Sequence, residues 1–235
     1  MTIQSTTKSF TVALQPPPGP NLTLPTPSNP FPPTNPPVFN DAMAIRLKVF
    51  VEEQHVSASA EIDDDDPRSW QWVIYDTSNA VKTPVAVVRL VPPPQAPHEL
   101  ITNPGADASS LAKYDTAHEP YIKLTRVAVL REYRGLGLGR RLVDEALGWA
   151  RGHVEEIEEA CRRVVRREVR WKGLVLVHAQ VQGEKMYERF GFVTDEKMGR
   201  WDEEGIEHLG MWKRIDLEPR SYIYSTITDG SEIPR

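Results

Sequence analysis

The chain of 235 residues has a single cysteine, Cys161, and no excess of basic side chains. One cysteine cannot form an internal disulfide, which fits a reducing compartment. The formal net charge of -5 argues against a nucleic-acid partner, because phosphate binding needs Lys and Arg gathered on one face. No apolar run reaches the roughly 20 residues that span a bilayer, and the N-terminus lacks the apolar core of a signal peptide. We therefore expect a cytoplasmic protein, nuclear as an alternative, with no membrane or nucleic-acid partner.

Proline is concentrated in residues 16–37, of which half are proline. Because proline lacks the N–H that helices and central strands need, this stretch should be extended and largely solvated. It can act as a spacer, as a strap on the surface or as a ligand for an SH3-type partner. We set residues 1–39 apart as an N-terminal extension, in which residues 4–14 can form a short strand, and we assign residues 40–235 to the folded domain.

The first half of that domain predicts one helix followed by two strands. Asn40 or Asp41 can cap the helix, and Ile45, Val49 and Phe50 give it an apolar stripe. Alternation of apolar residues and flanking turn residues predict the strands over residues 70–75 and 85–91.

Two segments of the first half have no periodic pattern. The acidic run 61–66 reads as a solvated loop, or alternatively as a negative field that attracts a cationic amine. Residues 92–120 are rich in Pro, Gly, Asn and Ser and predict a long loop, which can border a substrate site.

The second half of the chain alternates strands and helices. A helix that opens at the glycine-rich turn 135–139 has one apolar face, formed by Leu142, Val143, Ala146, Leu147 and Ala150. Gly152 should break or bend it before a charged helical insertion over residues 153–172. The remaining predictions are strands over 121–129 and 174–179, a short helix over 184–190, and a closing hairpin of 192–198 with 208–214. This order predicts an α/β (α+β) fold.

One segment, Val127 to Gly139, carries a recognisable chemical capability. A strand enters a turn with glycine at positions 135, 137 and 139, and a helix starts there. Such a turn can aim several backbone N–H groups at one point, and the helix N-terminus adds about half a positive charge. Glycine leaves room for a phosphate to approach the backbone. The segment therefore predicts a cradle for an anion such as a pyrophosphate.

The spacing of the glycines distinguishes the known types of phosphate-binding turn. No Lys-Ser or Lys-Thr follows the glycines, which excludes a P-loop, and the run G-x-G-x-G departs from the dinucleotide fingerprint G-x-G-x-x-G. The pattern R-x-x-G-x-G is met by Arg134, Gly137 and Gly139. It resembles the acetyl-CoA pyrophosphate loop of the GNAT (GCN5-related) N-acetyltransferase superfamily.

Two further blocks support this resemblance. Tyr187, Gly191 and Phe192 match the Y-x-x-x-G-F that commonly follows the fifth strand of that family, with Gln180 where Asn is usual and Gly183 where Ala is usual. The segment from Arg46 to Gln54 and the ending E-x-G-I-x-H-x-G-M look like the ElaA-like branch of the family. Gln71 stands where that branch often has His.

The resemblance implies the GNAT fold, in which a mostly antiparallel sheet flanked by helices has strands 4 and 5 splayed around acetyl-CoA. It implies a ternary complex and no metal. The residues expected to bind acetyl-CoA are Val127, Ala128, Val129, Arg134, Gly135, Leu136, Gly137, Leu138, Gly139, Arg140 and Gln180. Those expected near the amine are Phe50, Glu53, Gln54 and Arg126.

For catalysis, the resemblance implies that the backbone N–H of Val129 polarises the thioester carbonyl and that the Tyr187 hydroxyl protonates the leaving sulfur. The fourth strand reads KLTRVAV and offers no carboxylate as a base. Glu53 and His178 are the two candidates, and a water relay is the third.

The acceptor is expected to be the primary amine of a small molecule such as an amino sugar, a polyamine or an aralkylamine. One alternative is an enzyme that acetylates a lysine side chain or the N-terminal amine of a protein. The other alternative is a non-catalytic module that binds acyl-CoA. The chain is expected to be a monomer or a homodimer.

Overall fold

The computed structural model describes residues 8–102, 113–115 and 118–219. Within these ranges the strands form one mixed sheet in the order β1-β2-β3-β4-β5-β8-β6, and β7 pairs with β8. Its strands are β1 (Phe10–Gln15), β2 (Trp70–Asp76), β3 (Thr83–Val91), β4 (Ile122–Val129), β5 (Leu174–Gln180), β6 (Val193–Thr194), β7 (Arg200–Glu203) and β8 (Ile206–Arg214). All paired strands are antiparallel except β4 and β5, which run parallel.

The helices lie on both faces of this sheet. They are α1 (Pro37–Arg46), which continues as π-helical turns over Leu47–Glu53, α2 (Ala58–Glu61), α3 (Glu99–Thr102), α4 (Leu138–Gly152), α5 (Val154–Val165) and α6 (Glu184–Glu188). None of the helices in the described part of the chain is long and apolar enough to cross a membrane. The predicted fold class, a mostly antiparallel sheet flanked by helices, is confirmed.

Alternation along β2 builds the two cores. Trp72 and Ile74 pack toward α4 and α5 in the larger core, whereas Val73 and Tyr75 pack toward α1 in the smaller one. Because successive side chains of a strand point to opposite faces, α1 and α4 cover opposite sides of the sheet. The predicted apolar face of α4 is buried at all its positions: Leu142, Val143, Ala146, Leu147 and Ala150.

The start of α1 differs from the prediction. The helix begins at Pro37, so Asn40 and Asp41 lie inside it and neither caps it. Proline suits a first helical position, because its φ is already helical and its missing N–H would have no partner there. Asp41 instead accepts a hydrogen bond from the Tyr75 hydroxyl at 2.7 Å, which ties the helix to β2.

The closing hairpin was predicted correctly only in part, since Val193 and Thr194 do pair with Trp212 and Met211 of β8. Residues 192–198 form a strand only at Val193–Thr194, after which the chain turns. A separate strand, β7, pairs with β8 through a turn at Glu204 and Gly205, whose φ values are 54° and 80°. Two positive φ angles match the type I′ turn that suits the twist of a hairpin. The strand signal in β7, Arg-Trp-Asp-Glu, is too short to be recognised by periodicity.

The N-terminal segment joins the sheet before the proline-rich stretch begins. Residues Phe10–Gln15 pair with Asp76–Gln71 along the edge of the sheet. The proline-rich stretch then runs mostly exposed, with Pro25, Pro32 and Asn35 buried. The first part of the predicted strand, residues 4–7, lies outside the described residues. So do residues 103–112 and 116–117 of the predicted 92–120 loop.

The acidic run is not a solvated loop. Asp66 is fully buried and lies 2.6 Å from Arg46 of α1 and 2.9 Å from Arg89 of β3. Asp63 pairs with Arg89 at 2.6 Å and with Arg126 of β4 at 3.1 Å. Burial by itself would raise the pKa of Asp66, but Arg46 and then Arg89 outweigh it and hold that pKa below its usual range.

Glu61, at the end of α2, completes this ionic cluster. Its carboxylate accepts from Arg46 at 2.6 Å and from Arg126 at 3.0 Å. The cluster therefore joins three arginines to three carboxylates, those of Glu61, Asp63 and Asp66. It connects α1, α2, β3 and β4 beneath the first helix, and its formal charges cancel.

We expect Asp66→Asn to lower the free energy of unfolding by about 3–5 kcal/mol, because it leaves Arg46 and Arg89 buried with too few carboxylates. Urea denaturation followed by tryptophan fluorescence measures the change. The matched control is Asp65→Asn, next to it in sequence, whose side chain is 38% exposed. Its ion pair with Arg68 is a surface pair, so about 1 kcal/mol or less should be lost. Equal losses in the two variants would contradict the assignment.

Candidate functional site

Strands β4 and β5 are paired over a very short length. Hydrogen-bonded register exists only between Ile122–Leu124 and Val175–Val177. β4 continues to Val129 and β5 to Gln180 without pairing with each other. The two strands therefore separate and leave a wedge-shaped gap. Backbone groups that face this gap have no strand partner there, so a ligand can bond to them.

A β-bulge in β4 lies beside the gap. Val87 pairs with Ala128 and Arg89 with Thr125, so Arg126 and Val127 together lie opposite Val88. Arg126 has a φ of 54°, which is strained for a residue with a side chain. The extra residue shifts the alternation by one position. Lys123 and Thr125 consequently face the α1 side, whereas the later residues Val127 and Val129 pack on the α4 side.

The glycine-rich turn lies at the α4 end of β4. Gly135 and Gly137 have φ values of 78° and 75°, and Gly137 is the residue that precedes the first turn of α4. A Cβ atom on either glycine would meet nothing within 4 Å, so open space lies in front of the turn. The N–H groups of the first helical turn have no helical partners. The turn therefore has the space and the donors that a pyrophosphate needs.

Arg134 is held by a carboxylate beside this turn. Its guanidinium donates to both oxygens of Glu53, at 2.6 and 2.8 Å, and to the backbone oxygen of Val129 at 3.0 Å. These hydrogen bonds lower the pKa of Glu53, and a lower pKa makes the carboxylate a weaker base. Glu53 thus lies beside Arg134 near the glycine-rich turn and does not line the cavity described next. Its predicted role as a base has no support from this position.

A cavity of about 280 Å³ opens from the wedge on the α1 side of the sheet. It contains several residues that the sequence predicted from separate segments: Phe50, Gln54, Arg126, Val127, His178, Gln180 and Tyr187. The hairpin of β7 and β8 covers it, and Glu204 of that hairpin accepts from the backbone N–H of Ser57 at 3.1 Å. The cavity is therefore enclosed by elements from three parts of the chain.

Gln54 and Gln180 span the wedge. The Gln180 amide donates to Gln54 at 2.9 Å, and Gln54 donates back at 3.4 Å. Gln54 was predicted on the amine side and Gln180 on the cofactor side, and the structure brings them together. This reciprocal amide pair joins the end of the first helix to the end of β5.

Tyr187 is buried at 7% exposure and lines the cavity. Its ring packs edge-on against Phe192, with centroids 5.6 Å apart. Burial raises its pKa well above the usual value, so the hydroxyl stays protonated near neutral pH. It is therefore a proton donor in the ground state.

His178 lines the same cavity from β5. Its Nε2 atom is buried and has no hydrogen-bond partner among the described residues. Burial, and then the positive charge of Lys123, lowers its pKa well below the usual range. The imidazole is therefore neutral at physiological pH, and the lowered pKa also makes it a weaker base than a solvent-exposed imidazole.

Sequence analysis gave no site role to several polar residues that line the cavity, among them Lys123, Glu203 and His208. Alternation along β4 places Lys123 at an inward position, so its location could be predicted from the sequence. Alternation alone indicates no function for it. Glu203 and His208 line the cavity only because β7 and β8 fold over the wedge. Arg140, predicted to bind the cofactor, lies on the exposed outer side of α4, 3.6 Å from Asp144.

Comparison with known proteins places these features in a family. Residues 38–192 match the model of the acetyltransferase (GNAT) family. The protein YyaT of Bacillus subtilis is 26% identical over 179 residues, which cover 75% of this chain and 89% of YyaT. The crystal structure of an acyl-CoA N-acyltransferase from Pseudomonas aeruginosa is 20% identical, with a TM-score of 0.51, and the match covers 87% of this chain and 99% of that one.

We expect Gly137→Val to weaken binding of acetyl-CoA by about 100-fold, as if one or two charge-assisted hydrogen bonds were lost. Valine disfavours the φ of 75°, and its side chain enters the open space before the turn. Isothermal titration calorimetry measures the affinity. The control is Gly148→Ala within α4, where a Cβ also meets nothing and alanine favours the helix. Unchanged affinity in Gly137→Val would remove the turn from the binding site.

Proposed function

The chain belongs to the GNAT family of acetyltransferases, an acyltransferase family, and on that premise we propose that it transfers the acetyl group of acetyl-CoA to the primary amine of a small molecule. The observation that carries the proposal is the junction of three features at the β4–β5 wedge. These are the open glycine turn, the gap between the strands, and a small polar cavity on the far side of the sheet.

The donor would bind at the α4 side. Backbone N–H groups from Gly135 to Gly139 would hold the pyrophosphate at the start of α4, where the helix dipole favours negative charge. Arg134 would exchange part of its bonding with Glu53 for the phosphates. The pantetheine would pass through the wedge, past Val127, Ala128 and Val129, and Gln180 lies at the opposite strand.

The acceptor would bind at the α1 side. The cavity of about 280 Å³ is close to the lower end of the range for small-molecule sites, about 300–1,000 Å³. Phe50 offers an apolar wall, and Gln54 and Arg126 offer polar contacts. A cavity of this size, closed over by the β7–β8 hairpin, suits a small amine better than a peptide, which needs an open groove.

The chemistry would be direct attack of the amine on the thioester. The ammonium form must first lose a proton, and we assign the acceptor of that proton to His178, because this residue lines the cavity and its Nε2 has no hydrogen-bond partner among the described residues. The N–H of Val129 would stabilise the negative charge that develops on the carbonyl oxygen. As the C–S bond breaks, Tyr187 would protonate the departing thiolate. The cytoplasmic location, the ElaA-like branch and the monomeric or homodimeric state stay predictions from the sequence.

The proposal predicts release of free CoA thiol when acetyl-CoA is supplied with the right small amine. A thiol-reactive dye measures this release across panels of amino sugars, polyamines, aralkylamines, amino acids and peptides. Turnover with small amines, and none with peptides, is the expected result. Turnover with peptides alone would instead identify a protein acetyltransferase. Tight binding of acetyl-CoA without turnover on any amine would indicate a binding module.

We expect Tyr187→Phe to lower kcat by roughly 10²–10⁴-fold, the usual size of a lost general acid. The affinity for acetyl-CoA should change little, because the phenyl ring keeps its packing against Phe192. Steady-state kinetics with the best amine of the panel, together with calorimetry of acetyl-CoA binding, separates these effects. Phe192→Leu is the control for disturbed packing, since it keeps the hydroxyl. An unchanged kcat in Tyr187→Phe would indicate that water, and not Tyr187, protonates the departing thiolate.

A further inference from the structure

Lys123 differs from the other cations near the cavity, because it has no ion pair with any residue that the structure describes. The three arginines of the ionic cluster, Arg46, Arg89 and Arg126, each lie within 3.1 Å of a carboxylate. No carboxylate among the described residues comes within ion-pair distance of the Lys123 ammonium. Glu203 and Asp65 attract it only from a longer range. A positive charge therefore borders the cavity without an ion-pair partner in the described part of the chain.

The surroundings of Lys123 make this unpaired charge costly. Burial, together with the positive charges of Arg126 and Arg89, lowers its pKa to about 8 despite the attraction of Glu203 and Asp65. A group with that pKa is still mostly protonated at pH 7. Buried charges in proteins are normally paired, because desolvation is only offset by a close opposite charge. Lys123 is thus a half-buried cation, and the described part of the chain does not supply its counter-ion.

The position of Lys123 shows where the counter-ion would come from. It lies on β4 at the closed end of the wedge, opposite Leu176, where β4 and β5 are still paired. Its side chain lines the cavity together with His178 and Tyr187. A ligand that reaches both Lys123 and the reacting centre must therefore be short and must carry an anionic group close to its amine.

We propose that Lys123 binds the carboxylate of the acceptor, so that the substrate class is the amino acids and related short amino-carboxylates. This inference rests on the proposed function and names its acceptor. The lysine ammonium would donate to the carboxylate while the amine of the same molecule faces His178. Polyamines and simple aralkylamines, which carry no anion, would leave Lys123 unpaired and should be poorer substrates.

The test compares pairs of amines that differ only in the carboxylate, such as serine with ethanolamine and lysine with cadaverine. For the wild-type protein we expect kcat/KM to be about 10–100-fold higher for the carboxylate member of the best pair, the size of one charge-assisted hydrogen bond. In Lys123→Met the KM for the amino acid should rise by a similar factor. The KM for the decarboxylated amine should stay within about twofold.

Two controls separate recognition from folding. Lys123→Arg keeps the charge and should retain a preference for the carboxylate, and Lys172→Met removes an exposed lysine and should behave as the wild type. Acetyl-CoA affinity should be the same in all variants. Equal use of both members of each pair by the wild type would overturn the inference, as would a preference that survives in Lys123→Met.

Failure of the inference is distinguishable from failure of the proposed function. Turnover restricted to decarboxylated amines would support the proposed acetyltransferase function but would exclude the amino acids as its substrates. If no amine releases CoA thiol, the proposed function fails. Isothermal titration calorimetry, in which the same pairs of amines are added to the complex of the protein with CoA, then tests the inference. Tighter binding of the carboxylate member, lost in Lys123→Met, would support it. Equal binding of both members would overturn it.

Discussion

The parallel pairing of β4 with β5 extends over three residues, and the rest of the site depends on that limit. If the pairing continued to Val129 and Gln180, the backbone groups of both strands would be satisfied within the sheet. The early separation instead opens a passage from one face of the sheet to the other. α4 and its glycine turn lie on one side of this passage, and the cavity under the β7–β8 hairpin lies on the other.

The ionic cluster fixes one wall of that passage. Arg126 is the strained residue of the β4 bulge, and Glu61 and Asp63 hold its guanidinium. Arg46 uses the same carboxylate of Glu61, so α1, α2 and the bulge are positioned by one set of charges. Cancellation of these charges also matters for the cavity. Because Arg126 is matched, Lys123 is the cation of the cavity lining that lacks an ion pair among the described residues.

The glycine-rich turn at the start of α4 could be predicted from the sequence, whereas the shape of the cavity could not, for a physical reason. A turn that could hold a pyrophosphate through its backbone N–H groups needs glycine at positions 135 and 137, and this requirement is local and visible in the chain. The strands and α4 follow from periodicity, which is also local. The acceptor cavity is built from side chains of α1, β4, β5, β7 and β8, which no spacing rule relates. The same limit explains the acidic run, because Asp66 looks like a loop residue until Arg46 and Arg89 surround it.

The charges of the cavity connect acceptor binding to proton transfer. Lys123 is the largest electrostatic contribution, after burial, to the lowered pKa of His178. If His178 accepts a proton from the ammonium group of the substrate, a second positive charge forms beside Lys123. In an enclosed, poorly solvated site, two neighbouring positive charges repel each other strongly. A carboxylate bound to Lys123 would offset that charge and move the pKa of His178 back toward its usual range. His178 would then accept a proton more readily when an amino acid occupies the cavity than when a plain amine does. An anionic acceptor would in this way assist its own deprotonation, which gives the position of Lys123 a chemical reason.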